Sequence, residues 1–308
     1  DKTGTLTIGL PVLAGIATTV DRADVLTAAA ALATRSDHPL DRALVGAASD
    51  EGLALPAVGG FTATPGRGVT GDIEGRQVRL GNASYLAEHG ADTAAVAALT
   101  TAPELETAGS IAFLTIDNRL AAAFGFADQP RPQVARAVAD IHALGINVTV
   151  LSGDRPEAVA AFARQFALED ARAGLTPEEK IRAVGTLRAA GEVMAVVGDG
   201  INDAPALRAA DLGIAMGSGT DAAKAAAAVT LARPDPRLVA AMIETGRATR
   251  GTIAQNLGFA FIFNGIGIPL AALGKLSPAV AGAAMALSSV SVVMNAWRLA
   301  RRNFAPSA

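Results

Sequence analysis

The sequence predicts an α/β protein: a doubly wound parallel sheet that carries an inserted α+β segment and is followed by an apolar two-helix hairpin. Three observations predict it. From Pro132 onward, short apolar runs such as Asn147–Leu151 and Val193–Val197 alternate with helical stretches, the pattern of buried parallel strands and crossover helices. Between the opening residues and Pro132 the pattern shifts to short alternating runs broken by glycine, which marks an insertion. Beyond residue 250, Ile253–Gly274 and Leu276–Trp297 are each 22 residues long and contain no charged side chain.

Bulk properties narrow the classes of function. A chain of 308 residues can bury two or three cores. The formal net charge of −3 gives no electrostatic basis for binding nucleic acid. There is no cysteine, so disulfides and thiolate metal sites are excluded within this chain. The first residue is not Met, no signal peptide follows, and the chain opens inside a motif. It therefore reads as the C-terminal part of a longer protein, with the β-strand that would lead into Asp1 lying upstream.

In order, Asp1-Lys2-Thr3-Gly4-Thr5-Leu6-Thr7 places a carboxylate, threonine hydroxyls and a glycine on one tight turn. Residues 9–24 read as a connector into a strand and a helix, and Val25–Ala33 is Ala/Leu-rich and helical. That helix stops at Ser36-Asp37-His38-Pro39-Leu40, because the residue before a proline is pushed out of the helical region. Gly66-Arg67-Gly68 taken alone marks a bulge or turn, and Val78-Arg79-Leu80-Gly81-Asn82 follows it. Ser110–Asp117 and Leu120–Ala127 form a hairpin around Asn118-Arg119, and Asp128-Gln129-Pro130-Arg131-Pro132 breaks the pattern. A helix over Gln133–Leu144 precedes the strand that ends at Ser152-Gly153-Asp154. Thr176-Pro177-Glu178-Glu179-Lys180 opens another helix, and the next strand runs into Gly198-Asp199-Gly200-Ile201-Asn202-Asp203-Ala204-Pro205. Asp1, Ser152 and Asp199 all fall at strand ends, where doubly wound sheets gather their ligands.

The opening heptapeptide resembles the phosphorylation motif of the P-type ATPases, and GDGINDAP, residues 198–205, resembles a second signature of that family at the matching separation. The resemblance is to the heavy-metal (class IB) pumps, copper(I) type, and it implies a haloacid-dehalogenase-like fold for the phosphorylation domain. It implies that Asp1 takes the γ-phosphoryl group of ATP and that Asp199 ligates Mg²⁺ together with the Asp1 carboxylate and the Thr3 carbonyl. Lys180 neutralises phosphoryl oxygens, Asn202 and Asp203 hold the loop and orient the phosphate, Ser152 hydrogen-bonds the phosphate, and Asp154 fixes its own loop. In the nucleotide domain His38 orients the adenine, Gly66 and Gly68 let the backbone approach, and Asn82 adds a polar contact. Ala33 stands where many copper pumps carry a Glu of this pocket. Soluble phosphatases of the superfamily carry a second Asp two residues after the nucleophile, where this chain has Thr3, and that difference favours a long-lived acyl phosphate. The implied domains are 1–14 and 126–245 for phosphorylation, 15–125 for nucleotide binding and 246–308 for the membrane hairpin and tail.

At ~1.5 Å rise per residue, 22 residues cross a hydrocarbon core of roughly 30 Å. Arg247 and Arg250 precede the pair, Lys275 separates its members, and Arg298, Arg301 and Arg302 follow. The excess of cations on the outer flanks places those flanks and the ATP-handling domains in the cytosol, and the resemblance implies an integral protein of the plasma membrane. Phe263-Asn264 and Met285-Ala286-Leu287-Ser288-Ser289 resemble the last two helices of monovalent copper pumps, which implies Asn264, Met285 and Ser289 as contacts of the transported ion. Phe263 stands where that pattern has Tyr. A thioether suits soft Cu⁺, and the Asp that zinc and cadmium pumps carry in the final helix is absent. The partners implied are ATP, the transported ion, the lipid bilayer and a metallochaperone acting through upstream domains. Three alternatives stay open: a zinc or cadmium pump, a soluble haloacid-dehalogenase-like phosphatase, and a fragment that only binds nucleotide.

Overall fold

The structure, a computed structural model, describes residues 1–306. β1 (Thr7–Thr18) leads to α1 (Arg22–Ala33), whose first amides are capped by the Asp21 carboxylate. α2 (Pro39–Asp50) starts with Pro at its first position, where the missing N–H costs nothing. There follow β2 (Gly59–Thr64), β3 (Gly68–Ile73), β4 (Arg76–Gly81), α3 (Ala83–Glu88), α4 (Thr93–Thr100), a 3₁₀ turn over Pro103–Leu105, β5 (Ser110–Ile116) and β6 (Arg119–Pro130). The six strands form one antiparallel sheet in the order β1-β6-β5-β4-β3-β2.

β6 is nearly continuous in apolar residues because helices cover both faces of the sheet. On one face Val25, Leu32 and Leu44 of α1 and α2 pack on Leu114, Phe124 and Phe126. On the other, Leu86, Val96 and Leu105 pack on Phe113 and Ala123. Each fully buried Leu or Phe stabilises the lobe by about 1.5–3 kcal/mol. The hairpin between β5 and β6 turns at Asp117 and Asn118, both with positive φ, one residue earlier than expected. Two successive left-handed residues make a type I′ turn, whose twist matches that of paired strands. Pairing of β1 with β6 runs from Thr18↔Ala122 to Thr7↔Pro130 with register shifts between Leu13 and Gly15 and between Thr7 and Pro11, so the break expected at Asp128–Pro132 shows first as an irregular ladder over Asp128–Pro130. The boundaries drawn at 14/15 and 125/126 thus fall within paired strands, which carry the chain from one lobe to the other.

The second lobe runs α5 (Val134–Ala143), β7 (Thr149–Leu151), α6 (Pro156–Gln165), β8 (Asp170–Arg172), α7 (Pro177–Ala189), β9 (Ala195–Gly198), a 3₁₀ turn over Ile201–Asp203, α8 (Ala204–Ala209), β10 (Leu212–Ala215), α9 (Asp221–Ala226) and β11 (Val229–Thr230). Strands and helices alternate as expected, and every strand pair is parallel. Hydrogen bonds group the strands as β11-β10-β9 and β7-β8. Asp1 enters beside β9, its backbone nitrogen donating to Val197 O at 2.8 Å. β9 starts at Ala195 instead of Val193, which is 88 % exposed, because its ladder with β10 begins at Ala195↔Leu212.

α10 (Arg237–Ala272) and α11 (Pro278–Ala300) are joined by a turn that contains Lys275, and Ser277 caps α11 by accepting from Val280 N. The expected boundary at 245/246 lies inside α10, which is continuous through it. Both helices are long and apolar enough to cross a membrane, with mean hydropathies of 1.4 and 1.6 in windows of which none is buried. A core helix of a soluble protein would bury that surface. By compactness Asp1–Val138 with Asn147–Asp235 form one unit, and Ala139–Ile146 with Pro236–Ala308 the other.

Candidate active site

The opening loop is built around Thr7, which is fully buried. Its hydroxyl accepts from Gly4 N at 2.9 Å and donates to the Asp128 carboxylate. Asp128 in turn accepts from the amides of Gly9 and Leu10 at 2.9 and 3.0 Å. Gly4 has φ +75°, and a Cβ there would collide with the Asp199 carboxylate, so only glycine lets the loop close over that residue. Arg131 clamps the same loop from behind, donating to Gly4 O at 2.8 Å and Thr5 O at 3.0 Å. Thr7, Asp128 and Arg131 were not singled out as site residues. In the sequence the Asp128–Pro132 segment shows only as a break in the strand pattern; the structure makes it the support of the loop.

The ends of β7 and β9 bring the other groups to this loop. Ser152 is buried, and its hydroxyl accepts from Asp154 N at 3.1 Å. Asp154 pairs with buried Lys2, to which the sequence assigns no role. α7 carries a capping box between Thr176 and Glu179, which fixes the start of the helix and with it Lys180. Lys180 is 9 % exposed; its ammonium donates to Asp1 Oδ1 and, at 3.0 Å, to Asp203 Oδ1. Asp203 also accepts from Gly200 N at 3.3 Å and so folds the loop after β9. Asn202 and Thr3 are exposed, and both line the same cavity of about 360 Å³ as Asp1, Lys180 and Asp199.

Three carboxylates converge here: oxygens of Asp1, Asp199 and Asp203 lie within 4.8 Å of one another. Burial, followed by the nearby negative charge of Asp203, pushes the Asp199 carboxyl above the usual carboxylate range. Lys180 compensates Asp1 and Asp203; among the described residues no ion pair reaches Asp199, on which the α-ammonium of Asp1 and Arg131 act only from a distance. A hard divalent cation is the group this oxygen set fits, since three carboxylates share one lysine ammonium.

The expected nucleotide residues surround a separate cavity of about 310 Å³ lined by Ser36, His38, Gly66, Gly68, Gly81 and Asn82 among others. His38 is exposed and N-caps α2, its Nδ1 accepting from Leu40 N at 3.3 Å. Asn82 caps α3 through Tyr85 N at 2.9 Å and reaches Gly66 O at 3.4 Å. Gly66 turns with φ +70° and open space around it. Gly68 has a packing reason besides: a Cβ would sit 2.6 Å from the Tyr85 ring and 2.8 Å from Gly81 Cα.

On the helix pair Asn264, Met285 and Ser289 are all exposed, and among the described residues no hydrogen bond joins them. Asn295 of α11 instead donates to Gln255 at 3.1 Å and to Asn256 at 2.9 Å, both on α10. This cross-helix carboxamide cluster was invisible in the sequence, where single polar residues in an apolar run carry no pairing information.

The family profile of the haloacid dehalogenase-like hydrolases matches residues 1–211, and a second profile of the same description matches 182–243. The chain is 43 % identical, over 98 % of its length, to a copper-exporting P-type ATPase of Legionella pneumophila, covering 42 % of that protein. It is 41 % identical to a silver-exporting P-type ATPase of Salmonella typhimurium over 97 % of its length, covering 37 % of that protein. It superposes with a TM-score of 0.80 and 38 % identity on the crystal structure of a zinc-transporting PIB-type ATPase in its E2.Pi state, over 98 % of this chain and 49 % of that one. The chain spans about two fifths of the length of the curated relatives it matches. With the acid-and-lysine cluster at the strand ends and a profile covering 211 residues from Asp1, the chain belongs to the haloacid dehalogenase-like hydrolases, and it matches heavy-metal P-type ATPases along nearly its whole length.

Proposed function

We propose that this chain is the ATP-hydrolysing and membrane-hairpin part of a P-type ATPase that exports a heavy-metal cation, copper(I), through an aspartyl phosphate on Asp1. The observation that carries the reading is the position of Asp1: its carboxylate shares the Lys180 ammonium with Asp203 and lies beside Asp199 in a cavity open to ligand.

In this reading the adenine of ATP rests against His38, with Gly66, Gly68 and Asn82 around it. An Asp1 carboxylate oxygen attacks the γ-phosphorus, the bond to the β-phosphate oxygen breaks, and ADP leaves; the acyl phosphate stores the reaction until water removes the phosphoryl group. Lys180 faces the phosphoryl oxygens and balances their charge, and Ser152 donates to one of them. Asp154 holds Lys2, Asn202 borders the phosphate, and Asp203 keeps Lys180 in place. Mg²⁺, held by Asp1, Asp199 and the Thr3 carbonyl, supplies charge neutralisation on the phosphoryl group when bound. Thr3, at the position of the acid found in soluble phosphatases, leaves no general base next to the acyl phosphate. Residues 1–14 and 126–245 form the phosphorylation domain, 15–125 the nucleotide domain and 246–308 the membrane part.

The cationic flanks of α10 and α11 support a cytosolic placement of the catalytic lobes at the plasma membrane. Asn264, Met285 and Ser289 contact the ion, and a metallochaperone delivers it through domains outside this chain. Similarity to a zinc pump supports a second reading with the same chemistry and another cargo. Metal-stimulated ATPase activity across Cu⁺, Ag⁺, Zn²⁺ and Cd²⁺ in the complete protein separates the two. The core reading is tested by Asp1→Asn: acid-stable phosphate from ATP should disappear, and its persistence on the variant would refute the assignment.

A further inference from the structure

The cavity around His38 and the cavity around Asp1 share no lining residue, so one nucleotide can serve both only if the two lobes are held in a set relation. Arg155 is placed to hold them. It N-caps α6, directly after Asp154, and reaches into the nucleotide lobe. Its guanidinium donates to three backbone carbonyls there: Thr100 O at 3.0 Å, Leu105 O at 3.2 Å and Ala108 O at 3.3 Å. Thr100 is the last residue of α4 and Leu105 the last of the 3₁₀ turn, so the cation sits on two helical carboxyl ends, where free carbonyls and the local dipole favour it. Among the described residues its ion-pair partner, Glu157 at 3.4 Å, lies on its own helix, and its hydrogen bonds across the lobes go to backbone.

The contact is continuous with the opening loop. Asp154 pairs with Lys2, next to Asp1, and presses on the nucleotide lobe at Gly109, where a Cβ would lie 2.7 Å from its Oδ2. Arg164–Glu106, at 2.7 Å, adds only an exposed pair at the rim. A fork of five N–H donors is what three fixed carbonyls require, and the single ammonium of lysine cannot reproduce it.

We propose that Arg155 is a positioning residue that latches the nucleotide lobe to the loop of Asp1, setting how a nucleotide bound at His38 meets the phosphorylated carboxylate. The inference rests on the functional reading above, but its first readout does not. Because the chain has no cysteine, spin labels placed at Asp50→Cys and Glu192→Cys report the distance between the lobes in the full chain without background. The distribution should be narrow for the unsubstituted residue and at least about twice as wide in Arg155→Ala. In the complete protein the same variant should lower the rate of phosphoenzyme formation by about tenfold or more while nucleotide affinity stays within about twofold. Arg155→Lys should fall between the two, and Arg164→Ala should resemble the parent.

An unchanged width in Arg155→Ala overturns the latch, as does a loss of nucleotide affinity in step with the loss of phosphorylation. Should Arg155→Ala not fold, Arg155→Lys decides: a parental distance distribution with one point charge in place of the fork also overturns it. If the parent itself forms no phosphoenzyme, the functional reading fails, and the distance distributions still judge the latch.

Discussion

Lys180 Nζ lies 3.0 Å from Asp203 Oδ1 and donates to Asp1 as well, so one ammonium from α7 holds two of the three carboxylates of the site. The third carboxylate leaves an excess of negative charge that a bound Mg²⁺ would offset. Replacing Lys180 with Met leaves two buried acids uncompensated and should destabilise the metal-free chain by about 3–5 kcal/mol. Added Mg²⁺ should recover part of that loss. Denaturant titrations with chelator and with Mg²⁺ measure both effects; equal stability of parent and variant in chelator would remove Lys180 from this role.

Gly4→Ala should abolish the stabilisation that Mg²⁺ confers. The position combines φ +75° with a direct collision between Cβ and Asp199, so the variant strains the loop and displaces a proposed ligand. Gly9→Ala is the control, having φ +85° but a Cβ that would meet nothing nearer than Gly4 Cα at 3.4 Å. It should lose about 1 kcal/mol or more from backbone strain and keep its response to Mg²⁺. Thermal melts with and without the cation separate the two.

His38 caps α2 and is also the proposed contact of adenine, and one substitution cannot separate the two roles. His38→Ala removes the cap of α2, costing about 0.5–2 kcal/mol, together with the imidazole. His38→Asn keeps a side-chain acceptor for Leu40 N. If the ring contacts adenine, calorimetry should show both variants losing ATP affinity, by about tenfold, while only His38→Ala loses stability. Parental affinity in His38→Asn would reduce His38 to a cap.

The pH dependence follows from Asp199. Its carboxyl is raised from the model-peptide value of 3.8, by burial first and by Asp203 second. An acid raised in the folded state contributes no penalty below its unfolded pKa, and destabilises the metal-free chain increasingly as pH rises through the interval between the two values. In the proposed site Mg²⁺ would bind the ionised form and offset the penalty. The melting temperature gained on adding Mg²⁺ should therefore be large at about pH 7.5 and vanish toward about pH 4. An increment independent of pH would show that Asp199 is not a ligand.

Much of this site was legible because it sits in short contiguous motifs. Asp199 directly follows β9, Asp203 lies in the short turn after it and Asp1 enters beside it, and a doubly wound sheet gathers such loops on one side, so their meeting was legible from the alternation of strands and helices. Lys180 was legible for a related reason: Thr176-Pro177 starts a helix, and the capping box with Glu179 sets the lysine one turn in. The residues that support the loop were not. Thr7 and Asp128 are 121 positions apart and Lys2 and Asp154 are 152 apart, and a lone Thr, Lys or Asp in a sequence is ordinarily solvated.

By itself the sequence determined the kinds of element and their order: an insertion with alternating strands, a parallel α/β lobe, and two charge-free stretches of membrane length. Those follow from local periodicity, capping and turn chemistry, which act over a few residues. Tertiary structure alone decided that β1 and β6 stay paired through Pro130, that Arg131 and Thr7 hold the opening loop, that Asn295 bonds across to α10, and that Arg155 reaches three carbonyls of the other lobe. Each of these is a polar or ladder bond between residues distant in sequence. Its stability comes from losing water on both sides at once, and that happens only where the fold has already brought the partners together.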